Sequence, residues 1–224
     1  MYQHNYKYRN SRPFPYAIIK DFFNESDLTE CLNSIENNIE KLKWKQHDYH
    51  FQVNKRWLED PTAMPLEVQK IIWELHSTEF LHFLKEITGI SGIIDDPLNI
   101  GGGIHCTGRG GKLNIHKDFN YNKETNLVRK INVLLFLNKD WSPEWNGNLE
   151  FWDKDKTKKV VEIPPTFNKM VIFNTDEQSY HGCPIPLACP ENRFRLSLAT
   201  YYYVFEPAIP KEQQRLCSHF YDVQ

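Results

Sequence analysis

The sequence predicts a β-rich α+β fold, with N-terminal helices packed on one sheet of an antiparallel sandwich or jelly roll. Two observations carry this reading. Apolar residues at helical spacing are confined to the first 90 or so positions. From residue 101 the chain changes to short apolar runs separated by turn residues, without the strand–helix alternation of a parallel sheet. At about 150 residues per domain, 224 residues lie between one domain and two, and β-rich barrels of this length are usually one. We therefore read 1–224 as a single domain: a strand and supporting helices over 1–100, a jelly-roll core over 101–205 and a C-terminal tail over 206–224.

In chain order, Tyr16–Phe22 is a short apolar strand. Asn24 or Ser26 caps a helix running to about Lys41, with Leu28, Leu32, Ile35 and Ile39 on one face. Pro65 opens a second helix that ends near Leu75. A third follows Ser77, carries Phe80, Leu81, Phe83, Leu84 and Ile87, and stops at Gly89. Strands are expected near 103–107, 112–117, 130–137, 148–152, 159–163, 169–174 and 193–204. Loops around 44–60, 91–111 and 119–128 are expected to set specificity.

Composition narrows the function. Lys and Arg number 27 and Asp and Glu 29, a net charge of -2, which argues against nucleic acid as a partner. Aromatic residues make up 14%, too many for a disordered chain. No apolar run approaches the roughly 20 residues needed to cross a bilayer, so no membrane partner is expected. The polar N-terminus has no apolar signal region, and the five cysteines form no CxxC pair, which together point to reduced thiols in the cytoplasm.

Several familiar motifs fail. Six glycines lie between 101 and 111, but Cys106 stands where a phosphate loop needs glycine and Leu113 where it needs Ser or Thr. The stretch reads instead as a flexible or bulged connection between strands, edging a cleft. There is no GxSxG and no HExxH, and Cys183 and Cys189 lack the further ligands of a zinc finger.

The segment that carries chemistry is Ile115-His116-Lys117-Asp118. On a strand, His116 and Asp118 point to the same face. A third ligand must come from elsewhere, and His181, after the KMVIFNT strand and a polar turn, is the best candidate. Two imidazoles and one carboxylate form the facial triad of non-haem Fe(II) oxygenases, which leaves three positions for cosubstrate and dioxygen. In the last strand Arg193, Arg195, Ser197, Ala199 and Tyr201 share one face, opposite Phe194, Leu196 and Leu198. An arginine in such a strand is costly unless it meets an anion, and its planar fork suits a carboxylate. Metal and arginine together describe a site for a dicarboxylic keto acid.

The order HxD, distant His, Arg-x-Ser resembles the 2-oxoglutarate and Fe(II)-dependent oxygenases, and more closely their prolyl 4-hydroxylase-like branch. Leu137-Asn-Lys-Asp-Trp141, Gly147-Asn-Leu-Glu-Phe-Trp152, Ile163-Pro-Pro and the opening FPYAIIKDFFNESDL strengthen the likeness, which covers nearly the whole chain. It implies a double-stranded β-helix flanked by N-terminal helices, with His116, Asp118 and His181 as catalytic metal ligands. It also implies that Arg195 pairs with the far carboxylate of 2-oxoglutarate, aided by Ser197, with Arg193 as runner-up. Phe136 stands where the oxygen-sensing enzymes have a hydrogen-bonding tyrosine, and Asn132 on the same strand face is the candidate substitute. His105 or Cys106 falls near the place of a second family tyrosine upstream of HxD.

The implied activity is hydroxylation of a C–H bond, foremost in a prolyl residue of a peptide or protein, with release of succinate and CO2. Fe(II), 2-oxoglutarate and dioxygen are required, and ascorbate is a candidate reductant. The alternatives are hydroxylation of a free amino acid, sugar or other small metabolite, a non-catalytic jelly-roll binding module, and a zinc hydrolase using the same ligands.

Overall fold

The structure, a computed structural model, describes residues 7–222 apart from 97, 207 and 208. The helices α1 (Glu25–Asn38), α2 (Leu66–Leu75) and α3 (Thr78–Thr88) precede the β-rich part. Their starts follow local chemistry. Asn24 accepts from the Ser26 amide at 2.8 Å, Ser77 accepts from the Phe80 amide at 3.1 Å, and Gly89 closes α3 in the left-handed conformation. α1 ends three residues before the expected Lys41, at a pair of asparagines that favour helix ends; Asn38 turns its amide back onto the Ser34 carbonyl at 2.9 Å.

The strands are β1 (Tyr16–Lys20), β2 (Lys45–Gln46), β3 (Gln52–Leu58), β4 (Gly103–Lys117), β5 (Tyr121–Asn122), β6 (Leu127–Phe136), β7 (Leu149–Trp152), β8 (Lys159–Ile163), β9 (Lys169–Asn174), β10 (His181–Cys183), β11 (Arg195–Val204) and β12 (His219–Tyr221). They form one antiparallel sheet in the order β1-β9-β6-β11-β4-β10-β7-β8, with β3 and β12 also pairing to β4. The sheet curls over on itself. β7 and β9 lie far apart in that order, yet the rings of Phe151 and Phe173 approach to 5.3 Å, and Phe14 packs on Phe151 at 4.6 Å. This is the jelly-roll architecture expected from the sequence.

Both faces of the central strands are buried, so β6, β9 and β11 read as nearly unbroken apolar runs. Ile131, Val133, Leu135, Met170, Ile172, Leu196 and Leu198 point outward into a core shared with Leu28, Ile35, Val68, Ile72 and Leu84 of the helices. Leu134, Phe136, Val171, Phe173, Ala199 and Tyr201 point inward. The helices therefore cover one side and leave the inner face of the curl for a cavity.

Three features differ from the sequence reading. The two strands expected over 103–117 are one strand, and residues 108–111 bulge from it opposite Asn54, whose side chain donates to the Arg109 carbonyl at 2.8 Å. Part of the expected 44–60 loop is the strand β3. The C-terminal tail supplies β12, which places Phe220 beside His116.

Candidate active site

β4 and β10 run antiparallel with His116 directly opposite His181, and Asp118 follows one residue beyond the end of β4. The candidate ligand atoms of the three residues lie within 4.8 Å of one another, and all three side chains are buried. His116 Nε2 is 3.5 Å from Asp118 Oδ1 and His181 Nε2 is 3.7 Å from Oδ2. Each imidazole is fixed through its other nitrogen. His116 Nδ1 donates to the Asn114 carbonyl at 2.9 Å and His181 Nδ1 to the Ser179 carbonyl at 2.8 Å. A carbonyl only accepts, so the proton sits on Nδ1 and each Nε2 lone pair faces the carboxylate.

The electrostatics keep this donor set ready for a cation. Burial alone would raise the Asp118 carboxyl, but it is held well below the usual carboxylate range, with the Arg129 guanidinium the largest opposing influence. Burial, reinforced by His116, pushes His181 down to about 4, so it is neutral at physiological pH. Asn132 Nδ2 donates to Asp118 Oδ2 at 2.9 Å, and Arg215 Nε donates to the Asp118 carbonyl at 2.6 Å. Asn132 lines the cavity, and Asp118 takes one of its two amide N–H groups. Asn132 Oδ1 has no hydrogen-bond partner among the described residues.

A cavity of about 390 Å³ opens in front of these residues. Arg195 and Ser197 line it, and Arg193 does not. Arg193 instead donates to the Lys139 carbonyl at 2.6 Å and lies over the Trp145 ring. Arg195 Nε donates to the Gly147 carbonyl at 2.6 Å and the guanidinium lies over the Phe136 ring at 4.9 Å. No acidic side chain among the described residues pairs with Arg195, and burial lowers its pKa. Gly147 has φ +89°, and a Cβ there would come within 2.9 Å of Leu187 and 3.2 Å of Arg195, so glycine both makes the turn and gives the arginine room. His105 lines the cavity and Cys106 points to the outer core.

Some cavity residues went unseen in the sequence. Arg129, only 1% exposed, lies 3.8 Å from Asp118 and is sandwiched between the rings of Phe119 and Tyr201. Phe220 of β12 stacks on His116, with ring centroids 5.0 Å apart. Lys55 and Trp57 reach in from β3. None belongs to a short motif; only the pairing of distant strands brings them here.

Two imidazoles and a carboxylate beside an open, cation-lined cavity in a curled β-sheet are the donor set that suits the iron of a non-haem oxygenase. The donor set fits Fe(II), and the unpaired Arg195 fits the far carboxylate of 2-oxoglutarate. Residues 102–203 match the model of the 2OG-Fe(II) oxygenase superfamily, and that segment holds His116, Asp118, His181 and Arg195. It is 24% identical over 221 residues to prolyl 3,4-dihydroxylase OGFOD1 of Ostreococcus tauri, covering 92% of this chain and 41% of that protein. The chain thus spans less than half the length of the curated relatives it matches. Among solved structures it is similar to a prolyl hydroxylase of Trichoplax adhaerens in complex with a hypoxia inducible factor peptide. That match has a TM-score of 0.63 at 18% identity and covers 90% of this chain and 88% of the other. It is also similar to HygX of Streptomyces hygroscopicus with nickel, 2-oxoglutarate and hygromycin B bound, with a TM-score of 0.56 at 13% identity and 93% of each chain covered. No helix among the described residues is long and apolar enough to cross a membrane.

Proposed function

We propose that this protein is a 2-oxoglutarate and Fe(II)-dependent dioxygenase that hydroxylates a prolyl residue in a peptide or protein. The observation that carries the reading is the His116–Asp118–His181 cluster facing the unpaired Arg195 across one cavity. Bound Fe(II), with 2-oxoglutarate and dioxygen, supplies the oxidant for C–H hydroxylation, leaving succinate and CO2, with ascorbate as an accessory reductant. The chain's own residues hold and orient. His116, Asp118 and His181 present the metal ligands, Arg195 with Ser197 anchors the keto acid, and Asn132, Arg129 and Arg215 keep Asp118 in place. Phe220 and the inner aromatics limit water around the reacting centre.

The prolyl substrate is supported by the curated relatives, which are a prolyl 3,4-dihydroxylase and a prolyl 3-hydroxylase. A free metabolite is the second reading, favoured by Phe136, which cannot donate a hydrogen bond where prolyl hydroxylases of the oxygen-sensing kind have tyrosine. The five cysteines, all free, support a reducing, cytoplasmic setting. The test is to incubate the iron-loaded protein and 2-oxoglutarate with proline-containing peptides, free amino acids and sugar nucleotides. Mass spectrometry should find one added oxygen atom on a prolyl peptide. Oxidation of a free metabolite with every peptide untouched would overturn the prolyl assignment and leave the oxygenase standing.

A further inference from the structure

β3 was expected to be loop, and it carries a lysine into the cavity. The pairing of β3 with β4, and of β4 with β11, sets Lys55 opposite Thr107 and Thr107 opposite Arg195. Directly paired residues on neighbouring strands project from the same face of a sheet. Lys55, Thr107 and Arg195 therefore form one row across the inner wall, and all three line the cavity. With neighbouring strands about 4.8 Å apart, the two ends of the row are roughly 10 Å apart at the backbone. Two long cationic side chains starting at that separation can meet on one small anion held above Thr107.

Neither cation is otherwise matched. Arg195 has a backbone carbonyl and a ring face, and the named contact of the Lys55 ammonium is the Trp57 ring at 5.7 Å. No acid among the described residues lies within ion-pair distance of Lys55. Of the other cations near the metal ligands, Arg129 faces Asp118, while Lys117 and Arg215 face Glu177; Lys112, also on the cavity wall, has no acid within ion-pair distance among the described residues. Burial pulls Lys55 down to about 8, with Asp118 opposing the shift and Arg195 adding to it. Two partly buried positive charges side by side are costly until an anion joins them.

We propose that Lys55 is a second anchor, beside Arg195, for the far carboxylate of the keto acid cosubstrate, an inference that rests on the oxygenase reading of the site. With the keto acid end of the molecule at the metal ligands, its other carboxylate is received between β3 and β11. The strand that the sequence hides is then part of the cosubstrate site.

The experiment measures equilibrium binding to Mn(II)-loaded protein without dioxygen, by calorimetry, so that turnover plays no part. Two ligands are compared: 2-oxoglutarate, and 2-oxopentanoate, which has a methyl group in place of the far carboxylate. Lys55→Met and Lys55→Gln should each weaken 2-oxoglutarate about tenfold while leaving 2-oxopentanoate unchanged, and Lys55→Arg should restore most of the loss. Unchanged 2-oxoglutarate affinity in the Met and Gln variants, alongside a large loss in Arg195→Ala, would overturn the role of Lys55 alone. Equal loss of both ligands would also overturn it, because the defect would not involve the far carboxylate. A wild-type protein that binds no 2-oxoglutarate would overturn the oxygenase reading and this inference with it.

Discussion

Asp118 is held by residues from two separate parts of the chain. Asn132 and Arg129 come from β6 and Arg215 from the segment before β12. Replacing Asp118 therefore does two things. Asp118→Ala should lose the metal, and it should also destabilise the fold by about 3 kcal/mol, because the buried Arg129 loses its counter-charge. His181→Ala should lose the metal without that second effect. Metal content and thermal melting of the two variants, measured together, separate the roles; an Asp118→Ala protein that keeps its iron would remove Asp118 from the ligand set. At the other end of the cavity, Arg195→Ala should weaken 2-oxoglutarate by about 2–4 kcal/mol and Arg193→Ala far less. A larger loss at Arg193 would reverse that assignment. The residues that sit in short patterns were legible in the sequence: HxD by strand parity, Arg195 by its cost in an apolar strand. Lys55 and Arg129 were not, because nothing in QVNKRWL or LVRKINV marks an inward lysine or arginine until the partner strand is known.

Among the elements, legibility followed local chemistry. The capped helices and the apolar strands β6, β9 and β11 announced themselves through periodicity and caps. β3 has few apolar residues and β12 only three residues in all; both exist because β4 offers them paired edges, a long-range cause that a local pattern does not contain. The close contact of β10 with β4 shows how tightly this pairing positions the site. A Cβ at Gly182 would lie 2.8 Å from the Leu113 carbonyl oxygen and 2.7 Å from that of Asn114. Gly182→Ala should therefore push β10 off β4, costing roughly 1–3 kcal/mol of stability and weakening metal binding as His181 moves. Thermal melting and metal titration check this; a variant with wild-type values for both would show that β10 tolerates displacement.

Across the whole molecule, curling the sheet buries ionisable groups inside the jelly roll, and this ties stability to pH. His181 titrates near 4 in the fold, below its ordinary 6.5, and His105 is also lowered well below that value, by burial and then by Lys55. For a base depressed by folding, the unfolded chain binds the proton first. The contribution of His181 is complete above about pH 6.5 and is lost as pH falls toward 4, and His105 acts in the same direction. The melting temperature of the metal-free protein should drop over that interval, and His181→Asn and His105→Asn should each flatten the drop. The claim on which the functional account turns is that the three ligands and Arg195 act as one oxygenase centre. Succinate formed from 2-oxoglutarate under air, with and without Fe(II), tests it most directly. Succinate should appear only when Fe(II) is present and should vanish in His181→Ala; succinate formed equally without iron, or undiminished in that variant, would contradict the account.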